Sequence, residues 1–224
     1  MDSGKDVRQD EFADFTIRLK DGREIKCHKI ILARVSPVFL RILRHDNVET
    51  RTNTMTLDAF EPETVEAFLD FIYLPQGSRS LEETRLTLDL LKMSHMYDVK
   101  YLLDKCTENL IKTIEDDNAV QLWSVAELLS IDELKEAVLE YLAQKGEEML
   151  EVPGFKETCE SPEMKTSLTT FMAKNLWTAT ALAGPATSSE SESSDLFIQL
   201  LVTLYQRYQN HKIQKRDLVK QISI

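Results

Sequence analysis

A chain of 224 residues, 42% apolar and 29% charged, is long enough for one large domain or two small ones with apolar cores, and its composition is that of a globular protein. Its 27 Lys and Arg face 38 Asp and Glu, a formal net charge of −11, which argues against a surface that follows nucleic-acid phosphates. Three widely spaced cysteines, Cys27, Cys106 and Cys159, form no CxxC pair and exclude a disulfide framework, so free thiols and a reducing compartment are expected.

The N-terminal stretch MDSGKDVRQDEFADF has no apolar run of the kind a signal peptide carries, and residues 1–11 are expected to be flexible. Phe15, Ile17 and Leu19 then alternate with Thr16 and Arg18, Asp21-Gly22 supplies a tight turn, and Ile25 and Cys27 continue the alternation, which predicts a β-hairpin. HKIILARV follows as a short helix. Ser36-Pro37 opens the next one, with Ser36 as cap and Pro37 at the first helical position; Val38/Ile42 and Phe39/Leu43 form its buried stripe. The polar stretch from Arg44 to Asn53 is expected to be a connector before the alternating strand Thr54–Leu57. Pro62 opens a helix with Val65, Phe68, Leu69 and Ile72 on one face, and PQGS at 75–78 breaks it. Two more helical patterns follow, Leu86/Leu90/Met93/Tyr97 and Leu103/Cys106/Leu110/Ile114. Residues 12–115 therefore read as an α+β domain, a small sheet capped by about five helices.

From Asp117-Asn118 the pattern is wholly helical. Ala119, Leu122, Trp123 and Ala126 share a face, Ser130 and Glu133 have the spacing of a capping box, and Leu134, Ala137, Val138 and Tyr141 follow. Val152-Pro153-Gly154 ends that pair, and a weaker helix carries Met164, Leu168, Phe171 and Met172. Residues 184–195, GPATSSESESSD, read as an acidic Ser/Glu linker. Residues 196–224 form a C-terminal amphipathic helical pattern with seven apolar residues between Leu196 and Leu204, followed by Arg207, Lys212, Lys215, Arg216 and Lys220 against Asp217 alone. That apolar face needs a cover, either the preceding helices of the chain or a partner protein. The apolar run is about half the length a bilayer span requires, so no membrane association is expected.

DFTIRLKDGREIKCHKIILARVSPVFLRIL, LDAFEPETVEAFLDFIY and MSHMYDVKYLLDKCTENL together resemble a BTB/POZ domain over residues 12–115. DNAVQLWSVAELLSIDELKEAVLEYLAQKGEEMLEVPGFKE is similar to the BACK-type helical region that follows it in many members, assigned here to residues 116–183. The speckle-type POZ protein group is the nearest relative this implies, although no substrate-binding MATH domain precedes residue 12. The resemblance implies a non-catalytic protein-interaction adaptor without cofactor, in the cytoplasm and/or nucleus. It also implies a homodimer, or a heterodimer with other BTB proteins, that would join the N-terminal region of a type-three cullin to a substrate protein that the sequence leaves unknown.

By position, the resemblance places the cullin contact at Asn47, Val48 and Glu49, with support from Tyr97, Asn118 and Leu122. In the family motif an apolar residue stands two before the Glu; here Asn47 occupies that place, so Asn47→Met is expected to strengthen binding. A solvated connector at Arg44–Asn53 and a core-edge role for Tyr97 are the plainer readings. The dimer interface falls on Asp14 and Lys29 as a charged pair, with Phe15, Ile30 and Ile31 as apolar contacts unless they belong to the core. Lacking GxSxG, HExxH and a phosphate-binding glycine loop, the sequence supports no catalytic or metal site. An oligomerisation module that modulates other BTB proteins is the alternative to a ligase adaptor; a co-repressor platform would bring DNA-binding fingers, which these residues do not contain.

Overall fold

The computed structural model describes residues 12–74, 81 and 83–176. The expected N-terminal segment 1–11, the break at 75–78, the linker 184–195 and the C-terminal segment 196–224 lie outside the described residues. Two compact units divide the chain, the first ending at Thr113 and the second beginning at Ile114. The first is α+β and the second is helical throughout its described residues.

In the first unit, β1 (Phe15–Leu19) and β2 (Glu24–Cys27) form the expected antiparallel hairpin, with Phe15 opposite Cys27 and Ile17 opposite Ile25. Gly22 turns it at φ 84°, a conformation that costs a residue without Cβ nothing. The hairpin becomes a three-stranded sheet because β3 (Thr54–Leu57) lies parallel to β1 on its other edge, giving the order β2-β1-β3. As the middle strand, β1 buries Phe15, Ile17 and Leu19 almost completely.

Three helical segments connect β2 to β3: α1 (Lys29–Val35), α2 (Pro37–Arg44) and α3 (Val48–Thr52). The last falls where a connector was expected. Asn47 caps it, its side chain accepting from the Thr50 amide at 2.8 Å, and Asn53 closes it in the left-handed region at φ 54°. Both are residues that compete with plain helix through local side-chain bonds, which is why a polar run that looks solvated contains an ordered turn.

Next come α4 (Pro62–Tyr73), α5 (Thr84–Met96) and α6 (Lys100–Lys112). α4 buries Ala67 and Phe71 beside the expected Val65, Phe68, Leu69 and Ile72, a stripe wide enough for a helix covered on most sides. On α6 the core takes Leu102 together with Cys106 and Leu110, while Leu103 is half-buried. Between α5 and α6, Asp98 adopts φ 51°; its amide donates to His95 O (3.2 Å) and that of Val99 to Ser94 O (2.8 Å), the paired bonds of a Schellman motif.

The second unit contains α7 (Ala119–Leu128) and α8 (Asp132–Gln144), a 3-10 turn Gly146–Glu151, α9 (Phe155–Thr158) and α10 (Pro162–Leu176). Its core gathers Leu122, Trp123, Val138, Leu142, Met149 and Phe155, with the Trp123 and Phe155 rings stacked at 6.1 Å between centroids. The expected capping box at Ser130 and Glu133 does not form. Ser130 instead lies at φ 55°, donating to Glu127 O, while the Ile131 amide donates to Ala126 O. These bonds repeat the Schellman pattern of Asp98 and place Ser130 just past Leu129, the C-cap of α7; an N-cap needs extended backbone, which φ 55° denies it.

Ser36 is fully buried and makes two bonds, accepting from the Phe39 amide at 3.0 Å and donating to the Tyr97 carbonyl. Ser36→Ala removes the cap and leaves a buried carbonyl without its donor, so a loss of about 2 kcal/mol is expected. Urea unfolding followed by circular dichroism measures it; an unchanged midpoint would contradict the double role.

Candidate functional site

Two surface features of the first unit coincide with the residues singled out from the sequence. The first is α3. Asn47 holds it from below: Oδ1 accepts from the Thr50 amide, and Nδ2 donates to Ile42 O at 2.9 Å. The Thr50 hydroxyl adds bonds to Asn47 Oδ1 and His45 O, and Arg51 grips Asp46 through two contacts of 2.7 Å. Arg51 holds the Asp46 carboxyl below its usual range, but both side chains are exposed and the pair adds little stability. Asn53 ties the far end of α3, its carbonyl accepting from Thr16 N at 2.9 Å and its side chain from Lys29 Nζ.

The consequence is a side-chain arrangement that the motif position alone misjudges. Asn47 is turned inward and engaged with its own helix. Val48, at the first helical position, is 70% exposed, and Glu49 follows it half-buried in the first turn, where negative charge is favoured by the helix dipole. The apolar knob on this surface is therefore Val48, presented without any shift of the chain. Asn47→Met would exchange two internal bonds for a thioether, so the physical basis for expecting stronger binding from that substitution is lost.

The second feature is the start of α1. Asp14 Oδ1 accepts from the Lys29 amide at 2.8 Å, so Asp14, the residue before β1, acts as a cap for the start of α1. Its carboxylate takes the backbone of Lys29, while the Lys29 ammonium goes to Asn53. Beside it, the His28 amide donates to the Tyr73 hydroxyl at 2.8 Å, and His28 Nδ1 lies 2.9 Å from the same oxygen. Sequence reasoning missed Tyr73, which the chain separates from His28 by 45 positions. Ile30 projects outward, 79% exposed; Ile31 is half-buried, and Phe15, 2% exposed, belongs to the core.

The remaining candidates are interior or local. Tyr97 is 6% exposed, stacked on Phe39 with ring centroids 4.5 Å apart and tilted against Phe68, and burial pushes its phenol upward. Its role is the core-edge one, positioning α2 from beneath. Leu122 is fully buried in the second unit. Asn118 is half-buried and accepts from the Glu115 amide at 2.9 Å, closing the turn before α7. Asp116 is held below its usual range by Lys145 and by the Tyr141 hydroxyl. All three cysteines are free and buried, and burial pushes the thiols of Cys106 and Cys159 up to about 12, which leaves them inert as nucleophiles. Among the described residues no cluster of three or more His, Cys, Asp or Glu has metal-binding geometry, and no helix is long and apolar enough to cross a membrane.

Residues 5–114 match the model of the BTB/POZ domain. Among curated proteins, TD and POZ domain-containing protein 2 of Mus musculus is 29% identical over 160 residues, covering 71% of this chain and 43% of that protein. The protein maternal effect lethal 26 of Caenorhabditis elegans is 25% identical over 150 residues, 66% of this chain and 37% of that one. Among solved structures, the BTB domain of zebrafish PATZ1 covers 49% of this chain and 86% of that domain, at 17% identity and a TM-score of 0.41. The chain thus spans about two-fifths of the length of the curated relatives it matches. A match of 160 residues also exceeds the first unit, which ends at Thr113, and so runs into the second.

If Asn47 is the cap that holds Val48 outward, Asn47→Ala should cost about 1 kcal/mol and speed hydrogen exchange at the Thr50 and Arg51 amides. Asn47→Asp keeps the acceptor and should lose less. Equal exchange in all three proteins would place the cap elsewhere.

Proposed function

We propose that this chain, whose N-terminal unit is a BTB/POZ domain, is a protein-interaction adaptor that recruits a type-three cullin through the outward face of α3. An interaction role follows from the domain; the choice of cullin is the finer step. What carries it is Val48, a large apolar side chain standing 70% exposed on a helical turn that is capped, salt-bridged and closed at both ends. An exposed aliphatic group on a flexible loop would lose its gain to ordering, whereas one already fixed offers its burial as net affinity. Glu49 beside it supplies a charge for orientation. Tyr97 supports this surface from within by packing on Phe39 of α2.

The second unit belongs to the same reading as a BACK-type extension. Its support is the length of the match to the TD and POZ domain-containing proteins, together with the helical pair α7 and α8. In this role it carries the substrate side of the adaptor, with the cullin bound at the first unit.

A specific observation also favours the alternative, an oligomerisation module that pairs with other BTB proteins. Ile30 is 79% exposed at the start of a helix fixed by both Asp14 and Tyr73, a rigid apolar site suited to a second copy. The two surfaces are separable by substitution.

Calorimetric titration of the full chain with the N-terminal region of a type-three cullin should show binding that Val48→Asp weakens about tenfold to a hundredfold, the equivalent of roughly 1.5–3 kcal/mol for one buried aliphatic side chain. No binding by the unsubstituted chain would sink the cullin reading. Sedimentation tests the pairing surface: Ile30→Asp should shift a dimer toward monomer at micromolar concentration, and a monomeric unsubstituted chain would remove the oligomer reading.

A further inference from the structure

The second unit contains a groove of about 650 Å³ between α8 and α10. Leu139 and Phe171, both buried, form its floor, with Pro162 at one end. Four carboxylates stand on its rim: Glu127 from α7, Asp132 and Glu136 from α8, and Glu163 from α10. Lys135 is the one cation among the described lining residues, and it lies 2.7 Å from Asp132. The Ser167 hydroxyl donates to Glu127 Oε2 at 2.7 Å, linking α10 to α7 across the groove. An apolar floor under an acidic rim selects an occupant that is apolar on one side and basic along its edge.

The chain itself contains a segment that joins these two characters in succession, an apolar run and then a basic one. Between Leu196 and Leu204 it places Phe197, Ile198, Leu200, Leu201 and Val202, and then Arg207, Lys212, Lys215, Arg216 and Lys220 with only Asp217 opposing. In a protein of net charge −11 this is the basic exception, and the groove is an acidic surface within reach of it. α10 ends at Leu176 and the apolar run begins at Leu196. A random coil with as many residues as separate these two points has a mean span of roughly 25 Å, similar to the ~22 Å length of a fifteen-residue helix. Tethering at this distance gives an effective concentration on the order of millimolar, which favours the chain's own segment over the same segment of a second copy.

We propose that residues 196–220 dock in cis into the acidic groove between α8 and α10, their apolar run on Leu139 and Phe171 and their basic residues against Glu127, Glu136 and Glu163. The docked segment covers the apolar face that the sequence leaves without a partner, and it occupies the groove against other basic amphipathic helices. The inference stands apart from the cullin reading, since it involves neither α3 nor the first unit.

Zero-length carbodiimide coupling of an equimolar mixture of ¹⁴N- and ¹⁵N-labelled full chain, read by mass spectrometry, tests it. Lys212, Lys215 or Lys220 should couple to Glu127, Glu136 or Glu163 within chains of a single isotope. Isotope-mixed couplings would assign the groove to a second copy, and no coupling would leave it unoccupied; either result overturns the proposal. Glu136→Lys with Glu163→Lys, both exposed positions, should accelerate hydrogen exchange across residues 198–204 about tenfold or more. Lys212→Glu with Lys215→Glu should restore slow exchange in that background. Exchange that ignores both pairs of substitutions also overturns the proposal.

Discussion

The buried hydroxyl of Ser36 organises the first unit. It stands at the junction of α1 and α2, where it accepts from the Phe39 amide, and it donates across the core to the carbonyl of Tyr97 in the turn between α5 and α6. Buried carbonyls carry a cost when they lack a donor, and the Schellman turn at Asp98 presents this one inward. Two helix junctions far apart in sequence are thereby locked to each other, with the Phe39 and Tyr97 rings stacked alongside. The orientation of α2, and of the α3 turn that follows it, depends on this lock.

Outward from it, the first unit shows a consistent use of polar side chains. Asp14, Asn47, Asn53 and Tyr73 each satisfy backbone or side-chain groups at the ends of α1 and α3. These bonds fix the backbone so that a few aliphatic groups, Val48 and Ile30 among them, remain in solvent with little freedom.

The second unit uses the same kind of helix ending at Ser130 as the first does at Asp98, in each case with a residue other than glycine in the left-handed region. A serine three residues before a glutamate therefore has two meanings, a start or a stop, and only the backbone angle distinguishes them. Asp116, Tyr141 and Lys145 then join the turn before α7 to the end of α8.

Where local pattern and final structure agree, the reason is short range. The alternation of Phe15, Ile17 and Leu19, the Asp21-Gly22 turn, the Ser36-Pro37 helix start and the apolar stripe of α4 are each dictated by neighbours within a few residues, and the domain type was legible from their order. Pairings between distant residues were not. The parallel seating of β3 on β1, the Tyr73 hydroxyl under His28 and the inward turn of Asn47 depend on groups that meet only once the chain has closed, and they decide which side chains are buried. The resemblance points to Asn47, Val48 and Glu49 by position alone, and the sorting of Asn47 into the helix and Val48 into solvent required the folded core. A helical period states that one face is covered; what covers it is set by tertiary packing, because burial is a property of the whole assembly of helices and no single segment encodes it.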